Sequence, residues 1–499
     1  MKVLLIYPPV TCVGSGLVVT SHAPMGLMYL SSYIRQVGHE VKLLDALADG
    51  KDKVIKTRNG VRLGMTWSQI KKNIDKFGPE VVGLSVMFTA YYEDALDLAK
   101  KIKKHYPKVK IVFGGSHVST NPWLSMKDKV IDYIVYGEGE LTFEKLLKTL
   151  ESKKKDFSKI YGLAYRLKRK TVVNRPAELI KDLDILPFPD WNMLNLKNYE
   201  LGDESQVMRK PCFSVETSRG CPNHCMYCSS FAVWRHQWRG RSPKNVLDEI
   251  ENLVRNFGAR EIAFYDDSMS VDRKRMVEIC KGIIKRKLDI KWTPPNGIAH
   301  WTLDKELLVL MKKSGCYKIT FGIESGDPET RRWVGKPYDL NQAKELTKFA
   351  NDIGYWTLAT NIIGFPYETR GQIRKTLDYA IDSGVDTALF FRLGLRPGAP
   401  VYGIFEKEGW LPKDKKVLFT ENLSLDTKYI KGSELVELQQ RMYEEFMRKR
   451  WGSISVVVKL LKKIRSIEDM FYTLKQMKYI YDFRSGWVGR RSGVISKRV

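Results

Sequence analysis

The strongest constraint on the fold of this chain is an alternation of short β-branched runs with amphipathic helical segments, which occurs in two blocks. In the first block, the runs read as buried parallel strands and are KVLLIYPP (2–9), HEVKLLDA (39–46), VVGLSVM (81–87), KIVFGGS (110–116) and DYIVYGEGE (132–140). Segments with apolar residues at helical spacing lie between them. This α/β pattern predicts an amino-terminal doubly wound parallel sheet, which binds ligands beyond the carboxyl ends of its strands.

The alternation resumes at about residue 205. Six further strands are predicted at CFSVETS (212–218), EIAFYDD (261–267), IKWTPPNG (290–297), YKITFGIES (317–325), TLATNIIGF (357–365) and TALFFRLG (387–394). Helical patterns such as PKNVLDEIENLVRNF (243–257) separate them. Repeated βα units of this kind predict a central partial or full (β/α) barrel with its chemistry at the carboxyl ends of the strands.

The rest of the chain suggests a joining region and a tail. A predicted hairpin (158–180) and a proline-rich connector (183–195) separate the two blocks, and a basic, helical extension follows the second. From Arg441 to Val499 there are 15 Lys and Arg against 5 Asp and Glu. We therefore divide the chain into a Rossmann-like domain (1–160), a linker (161–204), a barrel (205–425) and a helical carboxyl-terminal domain (426–499).

The composition limits the cellular location and the kinds of partner that we expect for this protein. The first residues run directly into a strand-like segment, and no stretch has the roughly 18 uncharged apolar residues of a spanning helix, so we expect a cytoplasmic protein. Seven cysteines, mostly scattered, do not form a disulfide framework. A formal net charge of +27 fits nucleic acid, anionic lipid or phosphorylated partners, although a solvated lysine-rich surface explains it equally well.

Three of the seven cysteines lie in one short loop, SRGCPNHCMYCSS (218–230), directly after the first barrel strand. A structural zinc site usually takes four protein ligands in two pairs, and no second pair accompanies Cys221, Cys225 and Cys228. Three thiolates suit a [4Fe–4S] cluster with one iron open to another ligand. The spacing favours the cluster, with a zinc loop as the alternative.

The cysteine loop resembles the signature of the radical S-adenosylmethionine (SAM) superfamily. That resemblance implies a cluster that binds SAM at its open iron and forms a 5′-deoxyadenosyl radical after one-electron transfer. It also implies SAM contacts from the barrel motifs FGIESGD, NIIGFPYET and FRLGLRPGAPVY, besides the aromatic residue of the loop. The implied SAM-binding residues are Tyr227, Glu324, Ser325, Gly364 and Arg392. The motif FYDDSMSVD, with the acidic pair Asp266 and Asp267 after the second barrel strand, also agrees with the family pattern. The alternatives are a core position for Tyr227 and helix capping by the acidic pair.

Residues that act on the substrate are harder to choose. Tyr265, Trp292, Asn296 and Arg392 stand at predicted strand ends and are candidates to line the cavity, although strand ends also hold packing residues. The sequence has no second cysteine cluster, so we expect no auxiliary iron–sulfur centre. We therefore expect electrons from a ferredoxin or flavodoxin.

The amino-terminal sheet resembles the cobalamin-binding domain that precedes the barrel in one branch of the superfamily. The residues at the matching strand ends are Pro9, Ser85, Gly114, Gly115, His117, Gly137 and Glu138. The chain lacks the D-x-H-x-x-G motif that supplies histidine to cobalt, so His117 is the nearest axial ligand by position; the alternatives are a local hydrogen-bonding role and cobalamin bound base-off. A flavodoxin-like sheet for another ligand, or an inert relic, is the other interpretation.

The resemblance implies a cobalamin-dependent enzyme that methylates an unactivated carbon of an apolar, lipid-like substrate. The alternatives are ring formation on a lipid or porphyrin-like substrate, and tRNA or peptide modification; the single Cys12 of the first domain argues against tRNA methylthiotransferases. A cobalamin or iron carrier without catalysis would leave the SAM motifs unexplained.

A predicted basic amphipathic helix, SISVVVKLLKKI (453–464), is of a kind that can lie on an anionic membrane surface. Its apolar side holds Ile454, Val457, Val458, Leu461 and Ile464, and its lysines are Lys459, Lys462 and Lys463. The alternative is a helix that packs on the barrel and keeps its lysines in solvent.

Overall fold

The chain folds into two compact units. The computed structural model describes residues 1–12, 22–50, 53–57, 60–199, 207–336, 338–412, 424–452, 460–461 and 463–484. The first unit comprises 1–200 with 230–235, and the second comprises 201–229 with 236–499.

A seven-stranded sheet forms the centre of the first unit. Its strand order is β10-β9-β8-β7-β6-β1-β3, and β1, β3, β6, β7 and β8 run parallel. The strands of this unit are β1 Lys2–Tyr7, β2 Val10–Cys12, β3 Glu40–Asp45, β4 Val54–Thr57, β5 Gly60–Leu63, β6 Val81–Ser85, β7 Lys110–Gly114, β8 Tyr133–Val135, β9 Leu163–Leu167 and β10 Lys170–Val173. The five parallel strands confirm the predicted doubly wound sheet.

Helices follow most of the parallel strands and bury the sheet. They are α1 Met25–Gln36, α2 Trp67–Phe77, α3 Tyr92–His105, α4 Ser116–Thr120, α5 Pro122–Ser125, α6 Glu140–Glu151 and, much later in the chain, α7 Phe231–Trp234. α2 begins in a capping box, since Thr66 and Gln69 each bond the other's backbone N–H. β3 and β6 lie on opposite sides of β1. The order therefore reverses there, which places a ligand crevice beyond the carboxyl ends of β1 and β6.

Two features of the first unit go beyond the sequence prediction. β2, β5 and β4 form a small antiparallel sheet. The hairpin expected in the linker, β9–β10, extends the main sheet by antiparallel pairing with β8. The connector returns to the same unit, because Ser32 Oγ accepts the Asp190 N–H at 3.0 Å and the Tyr199 hydroxyl donates to Asp45 at 2.7 Å.

Six parallel strands form the second unit's partial barrel. β11, β14 and β15 make one sheet and β16, β17 and β18 another, and isolated bridges from Trp292 to Cys316 and from Ile298 to Phe321 join them. The six strands are β11 Cys212–Val215, β14 Glu261–Phe264, β15 Lys291–Thr293, β16 Lys318–Glu324, β17 Trp356–Ile363 and β18 Thr387–Arg392. β12 Ser218–Arg219 and β13 Arg239–Gly240 form a separate antiparallel pair. The predicted partial barrel is confirmed.

The helices of the second unit alternate with these strands. They are α8 Pro243–Phe257, α9 Arg273–Lys285, α10 Lys305–Lys313, α11 Pro328–Val334, α12 Leu340–Asp352, α13 Arg370–Ser383, α14 Pro400–Lys407, α15 Gly432–Trp451 and α16 Ile467–Arg484. Several begin at side-chain caps that the sequence supplies, as Ser242 does for α8 and Asp327 for α11.

The carboxyl-terminal extension is helical, as predicted, and packs on the barrel. Lys463 is buried and bonds Asp386 and Asn351 at 2.8 Å, so the prediction of a solvated Lys463 is wrong. The other predicted lysines, Lys459 and Lys462, lie outside the described residues, as do Ile454, Val457 and Val458. Among the helices of the described residues, none has the length and apolar character needed to cross a membrane.

Candidate functional site

The cysteine loop is held by the strand ends around it. Asp266, the first residue of the predicted acidic pair, is buried and accepts both the backbone N–H of Thr217 at 3.1 Å and its hydroxyl at 2.6 Å. The Ser218 hydroxyl donates to the same carboxylate. Asp266 therefore positions the chain just before the cysteines, which is a more specific role than the helix capping considered from the sequence.

Backbone hydrogen bonds fix the loop itself. Met226 donates to the Val334 carbonyl at 2.9 Å, and Val401 donates to the Met226 carbonyl at 2.9 Å. The loop is thus held between the end of α11 and the start of α14. Gly335 has φ +87°, and a Cβ there would lie 2.7 Å from the His224 carbonyl oxygen, so the close approach requires glycine.

The three cysteines fit a cluster. None of the three forms a disulfide bond; Cys225 is buried, whereas Cys221 and Cys228 are partly exposed. Burial raises the pKa of Cys225 to about 11, so a thiolate there needs the positive charge of bound iron. Among the described residues, no three His, Cys, Asp or Glu side chains converge on a single metal ion.

A buried ion pair lies beside the loop. Glu324 ends β16 with φ +66°, an uncommon conformation for a residue other than glycine. Its Oε1 lies 2.7 Å from Lys336 Nζ, and both side chains are at most 10% exposed. Burial lowers the pKa of Lys336, but the charges of Glu324 and Cys225 outweigh this effect and raise the pKa above its ordinary value. The pair places fixed charges next to the predicted cluster.

Aromatic rings surround Lys336. Its Nζ lies 5.9 Å from the centre of the Tyr227 ring and 5.7 Å from that of Trp301, which stacks on Tyr338 at 3.7 Å. Burial, and then the charge of Glu324, raises the pKa of Tyr227 well above its ordinary value. The sequence interpretation found Tyr227 and Glu324 but missed Lys336, because a lysine just after a helix end is usually exposed and nothing in the local pattern indicates its burial.

The other predicted SAM residues lie at the ends of β16, β17 and β18. Ser325 is fully buried, and its hydroxyl lies 3.1 Å from that of Thr376. Gly364 donates to Glu368 Oε2 at 2.8 Å. Arg392 donates to Ser424 Oγ at 2.5 Å. The structure brings these residues to one end of the barrel, and their contacts with SAM stay a prediction.

The substrate candidates separate into two kinds. Trp292 is fully buried and donates to the Ser314 carbonyl at 3.1 Å, so its predicted place in the cavity is wrong; it is a core residue. Asn296 is exposed and donates to the Tyr265 carbonyl at 3.0 Å, which holds the end of β14. Tyr265 follows β14 directly, and burial raises its pKa to about 12.

The residues of the second predicted site lie in the first unit, at the carboxyl ends of its parallel strands. Pro9 follows β1 and Ser85 ends β6, so they flank the crevice at the reversal of strand order. Gly115 has φ +103°, and a Cβ there would lie 2.7 Å from the Val86 carbonyl oxygen. Gly114 ends β7. These residues thus lie at the edge where the strand order predicts a ligand crevice, and Gly115 is required there by the close approach of the protein's own backbone.

Two further residues of this edge have local partners. His117 Nδ1 lies 3.0 Å from Thr89 Oγ1, and burial lowers the pKa of His117 to about 4, which keeps the ring neutral at physiological pH. Glu138 is buried beyond β8, after Gly137, and accepts the Ile180 N–H at 2.7 Å. The roles of both toward cobalamin stay predictions.

Two domain families match the chain. The family described as "B12 binding domain" matches residues 13–147, and the "Radical SAM superfamily" matches residues 215–380. The first match covers four of the five parallel strands of the doubly wound sheet, and the second covers the cysteine loop with most of the barrel.

Curated relatives extend along most of the chain. It is 35% identical over 403 residues to an uncharacterized methyltransferase of Pyrococcus horikoshii, covering 81% of this chain and 82% of that protein. It is 27% identical to cytidylyl-2-hydroxyethylphosphonate methyltransferase of Streptomyces wedmorensis, covering 90% of each.

Further relatives include an anaerobic magnesium-protoporphyrin IX monomethyl ester cyclase of Rubrivivax gelatinosus, at 29% identity over 78% of this chain and 67% of that protein. A hopanoid C-3 methylase of Methylococcus capsulatus is 24% identical over 88% of this chain and 79% of that protein.

Solved structures share the fold. The cobalamin-dependent SAM radical enzyme OxsB, with aqua-cobalamin and SAM bound, superposes with a TM-score of 0.71 at 18% identity, covering 99% of this chain and 72% of that one. The radical SAM methyltransferase TsrM from Kitasatospora setae gives 0.65 at 20% identity, covering 81% of this chain and 76% of that one.

Proposed function

The chain belongs to the cobalamin-dependent radical SAM enzymes, and from that premise we propose that it transfers a methyl group to an unactivated carbon. The cofactors of the family are a [4Fe–4S] cluster, SAM and cobalamin. When bound, they supply a 5′-deoxyadenosyl radical that activates the substrate carbon and a cobalt-bound methyl group for transfer to it.

The observation that carries the proposal is the arrangement around the cysteine loop. Cys221, Cys225 and Cys228 would hold the cluster, and the buried pair of Glu324 and Lys336 would present a carboxylate and an ammonium to the amino acid end of SAM. Tyr227 packs with Phe365 in an apolar cluster, which would exclude water from the adenosyl group.

Methyl transfer is favoured over ring formation by the 35% identity to the Pyrococcus horikoshii methyltransferase, against 29% to the cyclase, and by the fuller coverage of both methyltransferases. The apolar, lipid-like substrate of our prediction is supported by the hopanoid methylase among the relatives. Peripheral association with a membrane belongs to the same proposal. A ferredoxin or flavodoxin would supply the electron.

The test is anaerobic reconstitution with iron, sulfide and cobalamin, followed by turnover with methyl-labelled SAM and dithionite. We expect 5′-deoxyadenosine and a labelled methyl group in an extracted lipid pool. Label confined to methionine and SAM products, with loss of two hydrogens from a lipid, would overturn methylation in favour of ring formation.

A pair of cysteine variants tests the site separately. Cys225→Ala is expected to abolish deoxyadenosine release and lower bound iron and sulfide. The matched control is Cys280→Ala, since Cys280 is buried in α9, away from the loop in sequence, and should keep both. Deoxyadenosine release by Cys225→Ala at the wild-type rate would contradict the cluster assignment.

A further inference from the structure

The last described helix, α16, exposes an apolar stripe. Its members recur at helical spacing and are 40–72% exposed: Ile467, Met470, Phe471, Leu474 and Met477. The opposite side is buried, where Tyr472 packs edge-on against Tyr317 and Trp356. The helix is therefore fixed on the barrel while a continuous row of large apolar side chains stays in water. Scattered exposed hydrophobic residues are ordinary, but a contiguous stripe indicates an interaction surface.

The acidic and the basic residues of α16 lie on different sides of the helix. Within 467–478, the part of this helix whose side chains are described, the acidic residues are engaged: Glu468 pairs with Arg209 at 2.6 Å, and Asp469 accepts the Ser466 hydroxyl at 3.0 Å. Lys475 and Lys478 are exposed, on the side of the apolar stripe. The stripe is thus flanked by positive charge.

This charge pattern selects the partner. Two copies meeting through α16 would bring their lysines together on chains of net charge +27, which is unfavourable. An anionic lipid surface accepts apolar side chains below its headgroups and attracts lysines at the interface. We propose that the apolar stripe of α16 docks on an anionic lipid surface.

The stripe differs from the segment 453–464 considered in the sequence. The docking proposal rests on the proposed function in one respect only, because docking would bring the enzyme to an apolar substrate. The docking itself requires neither turnover nor cofactors, so the two proposals fail separately.

The test is co-sedimentation of the full reconstituted protein with phosphatidylglycerol vesicles and with phosphatidylcholine vesicles, without substrate. We expect binding to the anionic vesicles that weakens with salt, and little binding to the neutral ones. No binding to phosphatidylglycerol vesicles, or equal binding to both, would overturn the proposal.

Single substitutions locate the surface. Phe471→Glu and Leu474→Glu should each weaken vesicle binding about tenfold or more, because each removes a large apolar group from the lipid and adds a negative charge. The matched control is Ile284→Glu, on α9, which is 43% exposed and should bind as the wild type does. Equal losses in all three variants would contradict a role for α16.

Two further measurements test whether the barrel is intact in these variants and whether the stripe pairs two copies of the chain. Deoxyadenosine release in vesicle-free solution should be the same in the variants and the wild type, which shows that the barrel is intact. Light scattering without vesicles should give one mass for all of them; a wild-type dimer that Leu474→Glu converts to a monomer would assign the stripe to self-association and overturn lipid docking.

Discussion

Lys336 and Glu324 form a buried ion pair that the protein holds at an energetic cost. Both side chains are nearly excluded from water, and Glu324 adopts a left-handed backbone conformation to place its carboxylate 2.7 Å from the ammonium. Buried pairs often stabilise a fold less than apolar residues would. Because the pair nonetheless lies beside Tyr227 of the cysteine loop, we infer that its role is binding rather than stability.

Substitution of Lys336 tests this account. Lys336→Met should destabilise the barrel by about 3–5 kcal/mol, because it leaves the Glu324 carboxylate buried without a partner. Lys244→Met, which breaks a surface ion pair between a lysine that is 83% exposed and Asp248, which is 35% exposed, should cost about 1 kcal/mol or less. Urea denaturation compares the two. Equal midpoints for both variants would contradict a buried pair.

Glu368 is a second buried carboxyl with a measurable signature. Burial raises its pKa from 4.5 to about 8 in the folded chain. The folded state therefore binds the proton more tightly than the unfolded state, so this group makes stability fall as pH rises from about 4.5 to about 8.

Glu368→Gln should remove that dependence while keeping an oxygen for the N–H of Gly364. Its stability relative to the wild type should rise steadily between pH 5 and about 8, measured by urea denaturation at several pH values. Glu437→Gln, an exposed control, should run parallel to the wild type. Parallel curves for Glu368→Gln would show that the carboxyl ionises normally.

At the scale of elements, helix α15 covers the open edge of the partial barrel. The partial barrel leaves β18 as an edge strand whose backbone would attract other strands. Tyr443 accepts the Phe390 N–H at 2.9 Å, and Gln439 donates to the Phe390 carbonyl at 2.6 Å. Side chains of α15 thus make the hydrogen bonds at Phe390 that a further strand would otherwise make.

Loss of the Tyr443 hydroxyl should expose that edge. Tyr443→Phe leaves the Phe390 N–H without its acceptor, at a cost of about 1–3 kcal/mol. Hydrogen exchange at the Phe390 amide should accelerate. Tyr429→Phe, on a side chain that is 48% exposed, is the control and should leave exchange unchanged. Unchanged protection in Tyr443→Phe would mean that packing alone covers β18.

Helices and strands were predictable where a local residue pattern determines them. The long strands β16 and β17 and the helix α8 carry β-branched runs or a capped amphipathic pattern, and the sequence indicated them. The sheet of β2, β5 and β4 was missed because its strands are short and Val54 and Ile55 are each 40% exposed. The partners of Lys463 and Lys336 were missed because side-chain contacts across the chain leave no periodic signal.

At the scale of the whole molecule, the two predicted cofactor sites are built by separate stretches of chain. The cluster cysteines belong to the second unit, whereas Ser85, Gly115 and their neighbours belong to the first. Each site draws its backbone geometry from its own strands. Cobalamin binding and cluster binding should therefore be separable by mutation.

Reciprocal variants of the full chain test that separation. Replacing all three loop cysteines with alanine should abolish iron and sulfide binding and leave the visible spectrum of bound cobalamin intact. Gly115→Val should do the opposite, because its Cβ would meet the Val86 carbonyl at 2.7 Å and its φ of +103° strains any branched residue. Gly38→Ala, at φ +95° with nothing within 4 Å of the new Cβ, controls for backbone strain alone. Loss of cobalamin from the cysteine variant would mean that the loop contributes to the corrin site, and the two units would then function as one.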